Sequence, residues 1–306
     1  MKTKTISIIG AGLVGTTIAQ TLLLQKINAA IYLIDIDNKK CNAEVLDLSD
    51  MATFYGYSNI YVGSTQHARQ SDIIIICAGQ KQAPGQARIE LLDHNAAIIK
   101  NIMGSITPLL PHAIIIIVTN PVDILTHYVR SLANIPSHHI IGTGTLIDSV
   151  RLKLLLSQSY NLDASSLHID VIGEHGDSQL PVWSSATVQG LSLVKTLSLG
   201  KKELDHFAQE TRQRAFEIID GKGATCYGIA GCVAGLCHAI VYDAKATYPV
   251  TSYRNELGIC MSSPAVIGAQ GIERILPLAL STSEQEEYMA LVSSLKNQWN
   301  LVGKTI

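Results

Sequence analysis

Aliphatic runs separated by helix-patterned segments set the rhythm of the first half of the chain. TISII (5–9), AIYLI (30–34), IYV (60–62), IIIIC (73–77) and IIIIV (114–118) read as strands, and the four-isoleucine runs are apolar at every position. A strand apolar on both sides belongs in a sheet covered on both faces, as parallel sheets are. The spacing predicts helices between these strands: one from about Thr16, one over 43–52, and one in which Leu92, Ala96, Ile99, Met103 and Ile106 recur at three and four. Strands alternating with helices make this half a doubly wound α/β unit.

After about Thr143 the pattern changes. A helix is predicted over 147–160, then short alternating segments such as HIDVI and PVWSSATV, then a long helix over 203–220 with Leu204, Phe207, Thr211, Ala215 and Ile218 on one side. Ser283 to Glu286 (SEQE) has the form of a capping box opening a C-terminal helix. The expected organisation is therefore two closely packed domains, residues 1–142 and 143–306, the second a mixed α+β unit with antiparallel strands.

Composition narrows the class. With 47% hydrophobic and 16% charged residues the chain can bury a substantial core, and its longest aliphatic runs fall well short of a membrane span. A formal net charge of −2 leaves no basic footprint for nucleic acid. The apolar stretch near the start reaches glycine too early for a secretory signal, and six cysteines are scattered without a C-x-x-C pair, so a cytoplasmic protein with reduced thiols and no metal site is expected.

Gly10, Gly12 and Gly15 form G-x-G-x-x-G between the first strand and the first helix, and Asp35 ends the second strand twenty residues later. That context is the Rossmann-type dinucleotide fingerprint: glycines admit a pyrophosphate to the backbone N–H groups around Leu13 and Val14 and to the positive end of the helix dipole. A carboxylate at Asp35 accepts from both ribose hydroxyls and repels a 2′-phosphate, so NAD is expected rather than NADP. Asp37 adds negative field but on its own reads as a solvated turn residue.

A nicotinamide enzyme also needs a group that handles a proton near neutral pH, and histidine starts there. Ten histidines are present, most of them, such as His94, His127 and His206, in helical patterns that suit the surface or the core edge. His175 stands apart in GEHGDS (173–178), between two glycines with Glu174 and Asp177 close by, although an exposed loop histidine fits the turn too. Asp148 and Arg151 share a helix face, and spacing alone describes a surface ion pair equally well. QKQAPGQA (80–87) and TNPVD (119–123) follow buried strands, at the rim where ligands of open parallel sheets bind.

Taken together, GAGLVG, AGQKQAPGQAR, TNPVD, GTGTLIDSVR, IGEHGD and KGATCYGIA stand in an order and at intervals that resemble the L-lactate dehydrogenases of bacterial type, within the lactate and malate dehydrogenase superfamily, over essentially the whole chain. The resemblance implies that His175 exchanges the proton and that Asp148 fixes its tautomer. It further implies that Arg151 grips the substrate carboxylate, that Arg88 closes over the substrate and polarises its carbonyl, that Asn120 contacts substrate and cofactor, and that Thr225 walls the pocket. Gln82 falls where malate enzymes carry an arginine for a second carboxylate, which implies pyruvate and L-lactate rather than oxaloacetate. Lys81 and Ala83 depart from the usual lactate pattern, and GTGT is shared with 2-hydroxyisocaproate dehydrogenases, so malate and broad 2-hydroxyacid activity are the alternatives. The same resemblance implies a homotetramer. Its fructose 1,6-bisphosphate site maps to Lys153 and His168, where lysine replaces a forked arginine and implies weak or absent activation.

Overall fold

The computed structural model describes residues 3–56, 59–80 and 88–302. Its first half runs β1 (Lys4–Ile9), α1 (Leu13–Leu24), β2 (Ala29–Ile34), α2 (Asn38–Phe54), β3 (Ile60–Val62), α3 (Thr65–Arg69), β4 (Ile73–Ile76), α4 (Arg88–Ile106), β5 (Ile114–Ile117), α5 (Val122–Leu132) and β6 (Ile140–Gly142). The six strands are parallel in the order β3-β2-β1-β4-β5-β6, so the winding reverses between β1 and β4. A crevice opens at the carboxyl ends of strands at such a switch point.

The isoleucine runs are buried throughout. Ile73 and Ile75 of β4 join the core on one face of the sheet, and Ile74 and Ile76 join the core on the other, all four without solvent exposure. Ile114 and Ile116 of β5 divide from Ile115 and Ile117 in the same way. Each buried isoleucine contributes about 1.5–3 kcal/mol relative to exposure, which makes these two strands the centre of the fold.

The second half comprises α6 (Leu146–Tyr160), β7 (Leu167–His168), β8 (Val171–Ile172), β9 (Leu180–Pro181), β10 (Thr187–Val188), β11 (Leu191–Ser192), α7 (Leu193–Thr196), α8 (Lys201–Lys222), α9 (Tyr227–Val241), β12 (Ala246–Arg254), β13 (Ile259–Gly268), β14 (Gly271–Ile275) and α10 (Thr282–Val302). Antiparallel β12, β13 and β14 continue the parallel sheet, β12 meeting β6 at Thr251 and Gly142, so one nine-stranded sheet runs through both halves. HIDVI splits between β7, which pairs with β10, and β8, which pairs with β9.

Several helix starts differ from the expected ones, each for a local reason. α1 begins at Leu13 rather than Thr16 because Gly12 is its N-cap. The helix expected over 43–52 begins at Asn38, since Asp37 accepts from Lys40 N at 3.0 Å and caps it. The C-terminal capping box lies two residues earlier than SEQE: Ser281 N donates to Glu284 Oε2 at 2.8 Å and Glu284 N to Ser281 Oγ at 3.3 Å. His127 is no edge residue; it is buried, accepting from Cys260 N at 3.2 Å and packed edge-on against Trp299.

Candidate active site

The glycine turn sits at the switch point. Gly10 has φ +110°, and a Cβ there would stand 2.7 Å from Ala78 N on the chain leaving β4; one on Gly15 would stand 1.9 Å from Gly10 O. These two glycines are required by the close passage of β1, α1 and β4. Gly12 differs: among the described residues nothing lies within 4 Å of the place its Cβ would take. Among the described residues no side chain caps α1, and Leu13 beside Gly12 is 46% exposed. An uncapped helix N-terminus beneath an open glycine is a cradle for a diphosphate. Asp35 borders it, accepting from Ala11 N at 2.6 Å and Asp37 N at 2.9 Å. The residues present therefore fit a dinucleotide.

The rim loops are tied together by Asn95 on α4. Its Oδ1 accepts from Gln80 N at 2.8 Å, and its Nδ2 donates to Asn120 O at 2.7 Å. Asn120 leaves its side chain exposed at the mouth of the crevice, with Oδ1 3.3 Å from Val122 N. Gln82 lies outside the described residues, as do Lys81 and Ala83; Arg88 is the first residue of α4, and its side chain lies outside them too.

His175 and Asp148 meet. Gly173 (φ +89°) and Gly176 (φ +118°) turn the chain between β8 and β9, and His175 Nδ1 stands 2.6 Å from Asp148 Oδ2 on α6. Asp148 is 1% exposed, and its other oxygen lies 3.3 Å from Arg151 Nη1, so the i,i+3 pair is buried rather than a surface ion pair. With its amide turned to satisfy both ends, Gln179 donates to the same oxygen at 3.2 Å. Burial lowers the His175 pKa, but the charge and hydrogen bond of Asp148 and the charge of Asp123 outweigh it, and the net displacement from 6.5 is upward despite Arg151.

Thr225 lies half-buried between α8 and α9, where the first turn of α9 passes so close to Ile147 that a Cβ on Gly228 would meet its side chain at 2.8 Å. Lys153 and His168 both act on Asp170, whose carboxyl is raised by burial and pulled back first by Lys153 and then by His168. An acid therefore lies within electrostatic reach of both groups expected to hold a phosphate.

Sequence reasoning passed over Asn95 and Gln179, and took in Asp123 only as the end of TNPVD, with no role of its own. Asn95 had a signal, a polar residue inside the Leu92–Ala96–Ile99 stripe, and it is 1% exposed. Asp123 is 3% exposed in the first turn of α5, where an acid ordinarily reads as a partner of the helix dipole. Instead its Oδ2 accepts from His175 N at 2.8 Å, and Oδ1 accepts from the hydroxyls of Thr251 and Ser262.

A dinucleotide cradle in the same chain as a half-buried histidine bonded to a buried carboxylate, with an arginine beside it, defines a class, the nicotinamide-dependent oxidoreductases of small hydroxy acids. The lactate/malate dehydrogenase NAD-binding domain model matches residues 4–142 and the α/β C-terminal domain model residues 145–305; the chain belongs to that family, and its cofactor is NAD. It is 37% identical over 292 residues to L-lactate dehydrogenase A of Rhizopus oryzae, covering 95% of this chain and 91% of the relative. With L-lactate dehydrogenase of Fervidobacterium nodosum the identity is 38% over 291 residues, 92% and 93% of the two chains. The crystal structure of a minor L-lactate dehydrogenase from Enterococcus mundtii in a ligand-bound form superposes with a TM-score of 0.94 at 30% identity, covering 99% of each chain.

Proposed function

We propose that the protein is an NAD-dependent L-lactate dehydrogenase, interconverting pyruvate and L-lactate, and that the contact carrying this reading is the 2.6 Å bond between His175 Nδ1 and buried Asp148. With Nδ1 engaged, Nε2 is the nitrogen left to exchange a proton with the substrate oxygen. Asp148 holds that tautomer and stabilises the imidazolium, and the raised pKa keeps the proton on His175 near neutral pH, ready for reduction. Arg151 pairs with the substrate carboxylate as a planar fork. Gly10, Gly12, Leu13, Val14, Gly15 and Asp35 hold NAD, assisted by Asn120; when bound, NADH supplies the hydride that the carbonyl carbon receives. Arg88 polarises the carbonyl, Thr225 walls the pocket, and Gln82, a neutral amide, disfavours a second carboxylate.

The same reading divides the chain at residues 142 and 143, between β6 and α6, in line with the two family-model matches. It makes the enzyme a cytoplasmic homotetramer. Fructose 1,6-bisphosphate activates it weakly or not at all, because Lys153 lacks a guanidinium fork and Asp170 opposes an anion.

One kinetic experiment tests the core. His175→Asn lowers pyruvate reduction by about 10²- to 10⁴-fold with NADH affinity retained. Across pyruvate, oxaloacetate and 4-methyl-2-oxopentanoate, kcat/KM is highest for pyruvate. A variant keeping most of the rate removes His175 from the chemistry, and a preference for oxaloacetate makes the chain a malate dehydrogenase.

A further inference from the structure

Asp123 lies outside the proton path; it is bonded directly to His175 and, through two hydroxyls, to the start of the helix that carries Asp148. Its Oδ2 holds the backbone N–H of His175 at 2.8 Å. Its Oδ1 accepts from Thr251 Oγ1 on β12, which is 2.9 Å from Ser262 Oγ on β13. Ser262 Oγ in turn accepts from Thr145 N, the N-cap residue of α6, at 3.1 Å, and the Ser262 backbone exchanges hydrogen bonds of 3.0 and 2.9 Å with Gly173. Thr251, Ser262 and Thr145 are all buried. One carboxylate thus connects the turn that presents His175 with the start of the helix that presents Asp148.

We propose that Asp123 is a positioning residue for proton transfer: through Thr251 and Ser262 it sets the His175 turn against the N-terminus of α6, and its charge helps hold the imidazolium. The inference rests on His175 being the proton donor. Among the described residues, His175 is acted on by Asp148 and Arg151 from α6 and by Asp123 from α5, and Asp123 by His175 and Glu174 from the turn. Cys260 on β13 and Cys232 on α9 also face this cluster, but burial raises both thiols above the ordinary value and keeps them neutral.

Burying a carboxylate against neutral hydroxyls is costly, and a fold that needed only a strut could use asparagine. The retained charge has a use in the proton-transfer reading, because it adds to that of Asp148. Burial pushes the Asp123 carboxyl up to about 6, against the hydrogen bonds of Thr251 and His175, so the charge is present at neutral pH and absent in moderate acid. An effect exerted through charge is therefore seen above that range and vanishes below it.

The test combines the pH profile of kcat/KM for pyruvate with an NMR titration of the His175 imidazole in Asp123→Asn, Thr251→Val and Thr251→Ser. Asp123→Asn keeps the size and the acceptor for His175 N. It moves the alkaline limb and the imidazole titration to lower pH, so that kcat/KM at about pH 8 is roughly three- to tenfold below wild type and within about twofold of it at about pH 5.5. Its unfolding temperature at about pH 8 is no lower than that of wild type. Thr251→Val, which strips a donor from the carboxylate and favours its neutral form, shifts both curves part of the way, and Thr251→Ser restores them. An unmoved imidazole titration in Asp123→Asn, a uniform loss of rate at every pH, or a variant that does not fold overturns the inference. None of these results touches the assignment of His175, which stands or falls with His175→Asn.

Discussion

Three glycines in one motif carry different obligations. Adding a methyl at Gly15 would press it to 1.9 Å from Gly10 O, inside the fold, whereas the same methyl at Gly12 meets nothing among the described residues within 4 Å. Gly15→Ala is therefore expected to destabilise the fold by more than about 2 kcal/mol. Gly12→Ala is expected to leave stability within about 1 kcal/mol and to weaken NADH binding at least about tenfold, because its methyl occupies the space a pyrophosphate takes. Thermal unfolding with calorimetric titration of NADH separates the two. Unchanged NADH affinity in Gly12→Ala would take that residue out of the cofactor cradle.

α5 carries two buried titratable groups of opposite sign. Asp123 is raised from 3.8 to about 6, so the native state holds its proton the more tightly, and the stability it contributes is present in acid and lost as pH rises through 6. His127 is lowered from 6.5 to about 4, chiefly by burial and then by Arg130, so its contribution is complete above 6.5 and lost as pH falls toward 4. That loss is on the order of 3 kcal/mol, as protonation within a helix packed between β13 and α10 would demand. His127→Gln is predicted to flatten the fall in stability between about pH 6.5 and pH 4, read from urea unfolding at stepped pH; a slope unchanged from wild type would put the acid sensitivity elsewhere. His127 also marks how far elements could be read from sequence. β4 and β5 were legible because isoleucine at every position demands cover on both faces, and the crevice followed from the glycine motif between strand and helix. β12 and β13 were not, since each carries a proline within its span, Pro249 opposite Pro264, which argues against a paired strand until the register shows them facing one another. In the site, Asp148 and His175 were joined by resemblance across 27 positions. Asp123 gave no such signal, because Thr251 and Ser262 stand 128 and 139 positions further on and only the sheet brings them to it.

At the scale of the molecule, the outer faces of three helices bear on how the site is supported. α2 exposes Leu46 (68%) and Phe54 (86%), and α8 exposes Phe216 (63%) and Ile219 (47%). α6, whose inner face buries Asp148, Arg151 and Leu152, leaves Val150 and Leu154 toward solvent in the single chain. Large apolar side chains exposed together on one helix face, as Val150 and Leu154 are at i and i+4, mark association surfaces, and a formal net charge of only −2 offers little repulsion between copies. A second copy seated on α6 would hold the helix that sets the distance between Asp148 and His175, so assembly and activity are coupled in this reading. Sedimentation of the wild-type protein is expected to give about four times the 33.0 kDa chain mass. Val150→Glu with Leu154→Glu places two charges on the outward face, sparing the inner one, and is expected to yield smaller species that keep their circular dichroism and lose about tenfold or more in kcat/KM for pyruvate. A wild-type protein that sediments as a single chain while fully active would break the coupling, and a double variant that stays tetrameric would move the interface off α6.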